Sequence, residues 1–295
     1  WSALTFALVF ITERYLLKIP FNVGTFSPIG FMNNSGQVFN IWIPGLVLFC
    51  FQNRNHRIKL FFGTLTLLII IAILMEAATR GTIIGLTLSE LIVFLIALKK
   101  NRKQAILLLS ITGLLTFGVG LYQVSDSLQN GRLSSKIIVM QKGITAATGN
   151  RLHIFENTWD MLSDYPFGVG INNFEYIHPK YAKPGSKQAS PFVNEKQILR
   201  TPHNIILKLY SELGYLGGTL FALFFLFLFY IALYNAIKGE MADKWLFVGV
   251  SATLFHSLVS AVFLTPVSLF FITLLLATVY MADAASVNHQ PHRHP

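Results

Sequence analysis

Three polar residues stand where an otherwise apolar chain has no structural need for them. Arg80, in Thr79-Arg80-Gly81, sits where an apolar stretch begins. Arg151, in Gly149-Asn150-Arg151, opens an amphipathic segment, and His203, in Thr201-Pro202-His203-Asn204, directly precedes another apolar run. A guanidinium is always charged and presents a fork of donors that matches phosphate oxygens. An imidazole takes or holds a proton near neutral pH. Two arginines and a histidine therefore suit anion binding beside a proton transfer at the membrane surface. Each has a plainer reading as well. Arg80 snorkels to lipid phosphate, Arg151 is a solvated surface charge, and His203-Asn204 caps a helix. An arginine at a helix start opposes the macrodipole, which favours an anionic partner for Arg151. Asn204 and Glu212 lie close behind His203 in sequence and are candidate supporting residues. Glu90 and His256 fall inside apolar runs, where ionisable groups are costly and mark either function or a hydrogen bond to Ser or Thr on a neighbouring helix.

Other chemistries are poorly supported. A single cysteine, Cys50, excludes an intrachain disulfide and a cysteine-based metal cluster. Gly168-Val169-Gly170 lacks the strand-then-helix context of a dinucleotide fingerprint. His289, His292 and His294 form a short histidine-containing tail, a compositional feature more often than a metal site. Nucleic-acid binding is disfavoured because the basic residues are divided between membrane-flanking loops and one large loop.

The elements that must hold these residues follow from composition. The 295 residues are 53% hydrophobic and only 12% charged, with 26 Phe and a mean hydropathy of +0.56. Soluble domains carry about 25% charged residues, and disordered chains are poor in apolar ones. The composition specifies an all-α polytopic membrane protein. A crossing helix needs about 20 mostly apolar residues. Ile58–Met75, Gly81–Leu98, Ala105–Tyr122, Tyr215–Ala236 and Leu246–Leu264 meet that need, with shorter candidates at Val38–Phe51, which holds Pro44-Gly45, and Val267–Ala282. That makes about seven spans. Trp1–Thr12 reads as the end of a further span cut short, since the chain opens without Met, and N-terminal spans are expected to be missing.

Orientation follows from Lys and Arg in short loops. Arg54, Arg57 and Lys59 lie in one acid-free loop, and Lys99, Lys100, Arg102 and Lys103 in another. Two spans separate these loops, so both can be cytoplasmic. Residues 1–122 then form an N-terminal transmembrane bundle, 123–203 an outside loop, 204–282 the C-terminal spans and 283–295 a cytoplasmic tail. The loop carries nine Lys/Arg and six acids, enough polar residues for an aqueous subdomain. Within it Leu152, Phe155, Trp159 and Leu162 recur at helical spacing opposite Glu156, Asp160 and Asp164. The pattern predicts an amphipathic helix with that apolar stripe against the membrane surface or the bundle. The helix should stop at Tyr165-Pro166, and Gly168-Val169-Gly170 should turn tightly.

Four motifs in order resemble those of the O-antigen ligase and polymerase family of integral-membrane glycosyltransferases. They are Phe31-Met32-Asn33-Asn34-Ser35-Gly36, Thr79-Arg80-Gly81, Arg151 with Tyr165-Pro166-Phe167-Gly168-Val169-Gly170-Ile171-Asn172-Asn173-Phe174, and His203-Asn204-Ile205-Ile206-Leu207 followed at six residues by Gly214. The resemblance covers roughly residues 31–235. It implies a GT-C-like, multi-pass protein of the bacterial inner membrane with a periplasmic active site and no metal or other cofactor. The implied donor is a glycan on undecaprenyl diphosphate. The acceptor is lipid A-core for a ligase, a second lipid-linked repeat for a polymerase, or a Ser/Thr of a protein for an O-oligosaccharyltransferase. Arg80 and Arg151 match the family's diphosphate-holding arginines, and His203 its catalytic histidine. The competing class is a transporter or flippase of lipid-linked glycan, which should place its polar residues at mid-membrane, as Glu90 and His256 do.

Overall fold

The computed structural model describes residues 2–17, 26–27, 30–77, 80–100, 151–181 and 201–259, with residues 110, 113, 117, 118, 121 and 125. The helices in chain order are α1 (Ser2–Ile11), α2 (Met32–Gln52), α3 (Arg57–Ala77), α4 (Arg80–Lys100), α5 (Arg151–Asp164), the four-residue α6 (Phe174–Ile177), α7 (Ile205–Lys238) and α8 (Met241–Ser257). A π-helical turn, Thr12–Leu16, extends α1, and a 3-10 turn, His178–Tyr181, extends α6. Among the described residues the remaining regular structure is a two-residue antiparallel pairing of Phe26–Ser27 with Gly30–Phe31. The chain is an all-α membrane protein.

Within the described residues three stretches are long and apolar enough to cross a bilayer: Arg57–Met75, Gly81–Leu98 and Ile205–Lys238. Leu68, Ile84, Leu88, Leu95, Leu223 and Leu226 are exposed on these helices, as lipid-facing residues must be. Helix α2 runs unbroken through Pro44 for 21 residues, longer than the run at Val38–Phe51 suggests. A bundle tolerates the lost donor because neighbouring helices re-satisfy the freed carbonyl. Helix α7 starts at Ile205, ten residues before the expected span, and its backbone breaks at Gly214 (φ 73°, ψ −175°). Residues 246–257 of the expected span Leu246–Leu264 lie on α8. Most of Ala105–Tyr122 and all of Val267–Ala282 lie outside the described residues.

The chain divides into two compact units. The first comprises residues 1–120, 228–256 and 262–295; the second comprises 121–227 and 257–261. In the first, Phe6 and Phe10 of α1 pack with Phe39 and Trp42 of α2, beside Ile70 and Leu74 of α3 and Trp245 and Val248 of α8. A Cβ at Gly85 would strike the carbonyl oxygen of Ala252, so α4 and α8 cross in backbone contact. Small residues permit that approach where lipid supplies no hydrophobic drive. His256 ties three helices together in the same unit. Its Nδ1 faces Asn40 Nδ2 at 3.2 Å and Thr82 Oγ1 at 3.4 Å, and Asn40 Nδ2 also donates to the Ala252 carbonyl at 3.3 Å. An amide nitrogen only donates, so Nδ1 accepts and the ring is the Nε2–H tautomer. His256 thus makes the bundle-facing hydrogen bonds anticipated for it. Glu90 is 4% exposed on α4, and its Oε1 has no hydrogen-bond partner among the described residues.

Candidate functional site

The candidate site lies in the second unit, where a loop and a broken helix are stitched together. Helix α5 ends at Asp164, before Pro166, as expected. The chain then turns: Gly168 N–H donates to Tyr165 C=O at 2.8 Å, and Gly168 and Gly170 take left-handed φ of 82° and 91°. The turn lies against the break in α7. Val169 N–H donates to Ser211 C=O and Gly170 N–H to Glu212 C=O, both at 2.9 Å, while Tyr215 N–H donates back to Pro166 C=O at 2.9 Å. The break frees helical carbonyls and one N–H, and the loop satisfies them, as buried backbone groups require. A Cβ on Gly168 would collide with the main chain of Glu212 and Gly214, and a Cβ on Gly214 with that of Pro166 and Phe167. The glycines of two motifs more than forty residues apart therefore form one backbone clamp.

Beyond the break, residues 205–213 form a short helix that begins just after His203. Asn204 caps it: its Oδ1 accepts the Leu207 N–H at 3.0 Å, and its Nδ2 donates to the Leu258 carbonyl at 3.0 Å. Glu212 is buried and lies 3.3 Å from Nζ of the equally buried Lys208, one turn earlier. His203 is held in the left-handed region, φ 54°, with its N–H toward Thr201 Oγ1 at 3.4 Å. Such a conformation is uncommon for a non-glycine residue and clusters at functional sites.

Arg151 is the first residue of α5 and is exposed. It is close enough to His203 for its charge to be felt. Burial pushes the His203 imidazole below its ordinary value of 6.5, and the positive charge of Arg151 pushes it lower still. The ring is therefore neutral at neutral pH, with a lone pair available. Arg80 is the first residue of α4, and its side chain lies outside the described residues. Helix α5 carries two apolar faces. Its buried residues are Ile154, Asn157, Thr158, Met161 and Leu162, whereas Leu152 and Trp159 are 37% and 54% exposed. Ile154, Met161 and Leu162 occupy the inner face, and of the stripe read from the sequence Leu152 and Trp159 are turned outward and Leu162 inward.

Two buried residues here are not visible as site residues in the sequence. His178 is fully buried, stacked on Phe174 at 4.7 Å, and neither ring nitrogen has a hydrogen-bond partner among the described residues. Burial pushes its imidazole down to about 4. Asn157, on α5, is equally buried, with neither side-chain polar atom partnered among the described residues. At the far end of α5, Tyr181 donates to Asp164 Oδ2 at 2.6 Å, and that bond helps push the phenol up to about 12. No periodicity signals either buried residue.

The described residues form an all-α membrane chain in which a glycine turn is fastened to a broken helix. The sequence profile of the family described as O-antigen ligase matches residues 65–222, just over half of the chain. The protein belongs to the O-antigen ligase family. The matched segment contains Arg80, Arg151, His203 and the whole of the backbone clamp. No curated protein matches the chain in sequence.

Proposed function

We propose that the protein is a glycosyltransferase that moves a glycan from undecaprenyl diphosphate to an acceptor hydroxyl at the periplasmic face of the inner membrane. The acceptor in this reading is lipid A-core, which makes the enzyme an O-antigen ligase. The observation that carries this reading is the pairing of a neutral, strained His203 with the guanidinium of Arg151. His203 takes the proton of the acceptor hydroxyl as its oxygen attacks the anomeric carbon. The bond from that carbon to the diphosphate oxygen breaks, and the diphosphate leaves as an anion held by Arg151 and Arg80. One displacement inverts the anomeric configuration. The two arginines supply the positive charge that a divalent metal supplies in other transferases.

The same pairing tunes the base. Before the donor binds, the charge of Arg151 makes His203 a weakened base. A diphosphate bound at Arg151 cancels part of that positive charge, so the affinity of His203 for a proton rises when the donor is in place. A base strengthened only in the loaded enzyme is matched to its moment of use. The transporter reading is weaker, because His256 is engaged by Asn40 and Thr82 within the bundle.

The decisive experiment is a set of three variants assayed for both binding and turnover. His203→Ala should nearly abolish transfer while leaving donor binding largely intact; lost donor binding would remove it from the role of base. Arg80→Ala and Arg151→Ala should weaken donor binding, and unaffected binding and activity in both would refute the diphosphate role. Deleting the gene and separating the lipopolysaccharide by electrophoresis then distinguishes the acceptors. Core without O-antigen marks a ligase and core with a single repeat a polymerase, while an unchanged ladder points to protein or another glycan.

A further inference from the structure

An open groove of about 460 Å³ runs between α5 and the start of α7, lined by Phe155, Glu156, Trp159, Asp160 and Leu207. Both of its walls begin at a candidate catalytic residue. On α5, Arg151, Phe155 and Trp159 are spaced i, i+4, i+8, so they form one stripe that ends about 12 Å along the helix axis from the arginine. On α7, Leu207 lies in the first turn, four residues beyond His203 in sequence. A molecule anchored by phosphate at Arg151 and reacting beside His203 would extend along this groove.

We propose that this groove is a glycan-binding subsite, with the indole of Trp159 as its platform. The inference rests on the glycosyltransferase reading and identifies where the sugar rings of a substrate lie. The chemistry of the walls selects the occupant. The C–H bonds on one face of a pyranose are weakly positive and meet the negative face of an aromatic ring. The ring hydroxyls are donors, and the carboxylates of Glu156 and Asp160 accept. Glu156 is held at 3.4 Å by His153 Nδ1, which fixes it at the groove edge. Those same carboxylates repel the diphosphate and keep it at the arginine end. An apolar membrane surface fits less well, because the lining carries two acids beside the exposed indole.

The test uses the full chain in lipid nanodiscs, with Trp159→Ala and Trp159→Phe. Steady-state rates are measured with the lipid-linked donor varied at saturating acceptor, and the reverse. Trp159→Ala should raise one KM about tenfold with kcat unchanged, the signature of lost uniform binding, and Trp159→Phe should restore most of it. The KM that moves identifies the glycan, donor or acceptor, that lies in the groove. In parallel, saturation-transfer NMR with lipid-free oligosaccharide, released by mild acid from the donor, reads binding without catalysis. The signal should persist in His203→Ala and be lost in Trp159→Ala. Loss of that signal in a chain with no transferase activity would keep the subsite and refute the enzyme reading. An active Trp159→Ala variant with both KM values and the NMR signal unchanged would refute the subsite alone. Quenching of Trp159 by brominated lipid, read as the difference between wild type and Trp159→Phe, would assign the strip to the membrane and overturn the proposal.

Discussion

Replacing Gly214 by alanine should open the clamp between loop and helix. Gly214 has φ 73° and ψ −175°, an essentially glycine-only conformation that costs another residue about 1–3 kcal/mol. The new Cβ has no room, because it meets the main chain of Pro166 and Phe167. Relieving that collision moves the loop away and breaks the bonds Val169 to Ser211, Gly170 to Glu212 and Tyr215 to Pro166. Each contributes about 1 kcal/mol net. Strain and lost bonds together amount to about 4 kcal/mol, roughly a thousandfold in the local opening equilibrium. Hydrogen exchange read by mass spectrometry should show that loss of protection at the amides of Val169, Gly170 and Tyr215. Gly45→Ala is the control, because nothing lies within 4 Å of its Cβ and a helix-interior alanine is favoured over glycine by up to about 1 kcal/mol. Wild-type protection at those three amides in Gly214→Ala would refute the reasoning, since it would mean that neither the conformation nor the contact depends on glycine.

Three further outcomes are expected. Because burial and Arg151 both lower the His203 pKa, the acid limb of kcat/KM should lie below pH 6.5, activity falling only as pH drops through that lowered value. Arg151→Gln should move the limb upward toward 6.5 while burial keeps it below, and in the wild type the limb of kcat should lie above that of kcat/KM; pH–rate profiles of both enzymes decide this. Lys208→Met strands the buried Glu212 carboxylate and should cost about 3–5 kcal/mol of stability, most of it recovered in the Lys208→Met/Glu212→Leu double variant, as read by thermal unfolding in detergent. In a Cys50→Ala background, a cysteine at Ile171 should react with a membrane-impermeant maleimide in intact spheroplasts and one at Asn55 should not; the reverse pattern would overturn the orientation drawn from the basic loops.

The spans were legible because length and apolarity are local properties: a run such as Ile58–Met75 can satisfy its backbone in lipid only as a helix. Arg151 and His203 were legible by type, as a cation and a proton carrier placed where the chain did not require them. Their proximity was not, since no periodicity links α5 to the start of α7. Helix α5 shows the same limit in another form. Leu152, Phe155, Trp159 and Leu162 make a good stripe, but Ile154 and Met161 make a second one, and tertiary packing chose the second even at the cost of burying Asn157. The clamp was half visible. The glycines announced a turn, but the carbonyls that receive it belong to Ser211 and Glu212, whose backbone becomes available only because α7 breaks.

The break at Gly214 also bends what would otherwise be one continuous helix. The portion 215–238 is roughly 36 Å long, more than a typical hydrocarbon core, and such a helix tilts to fit the local bilayer. At the break, one loop is bonded to both sides of the bend, to Ser211 and Glu212 before it and to Tyr215 after it. The loop therefore acts as a bracket that sets the angle at which the histidine-bearing helix leaves the top of the span.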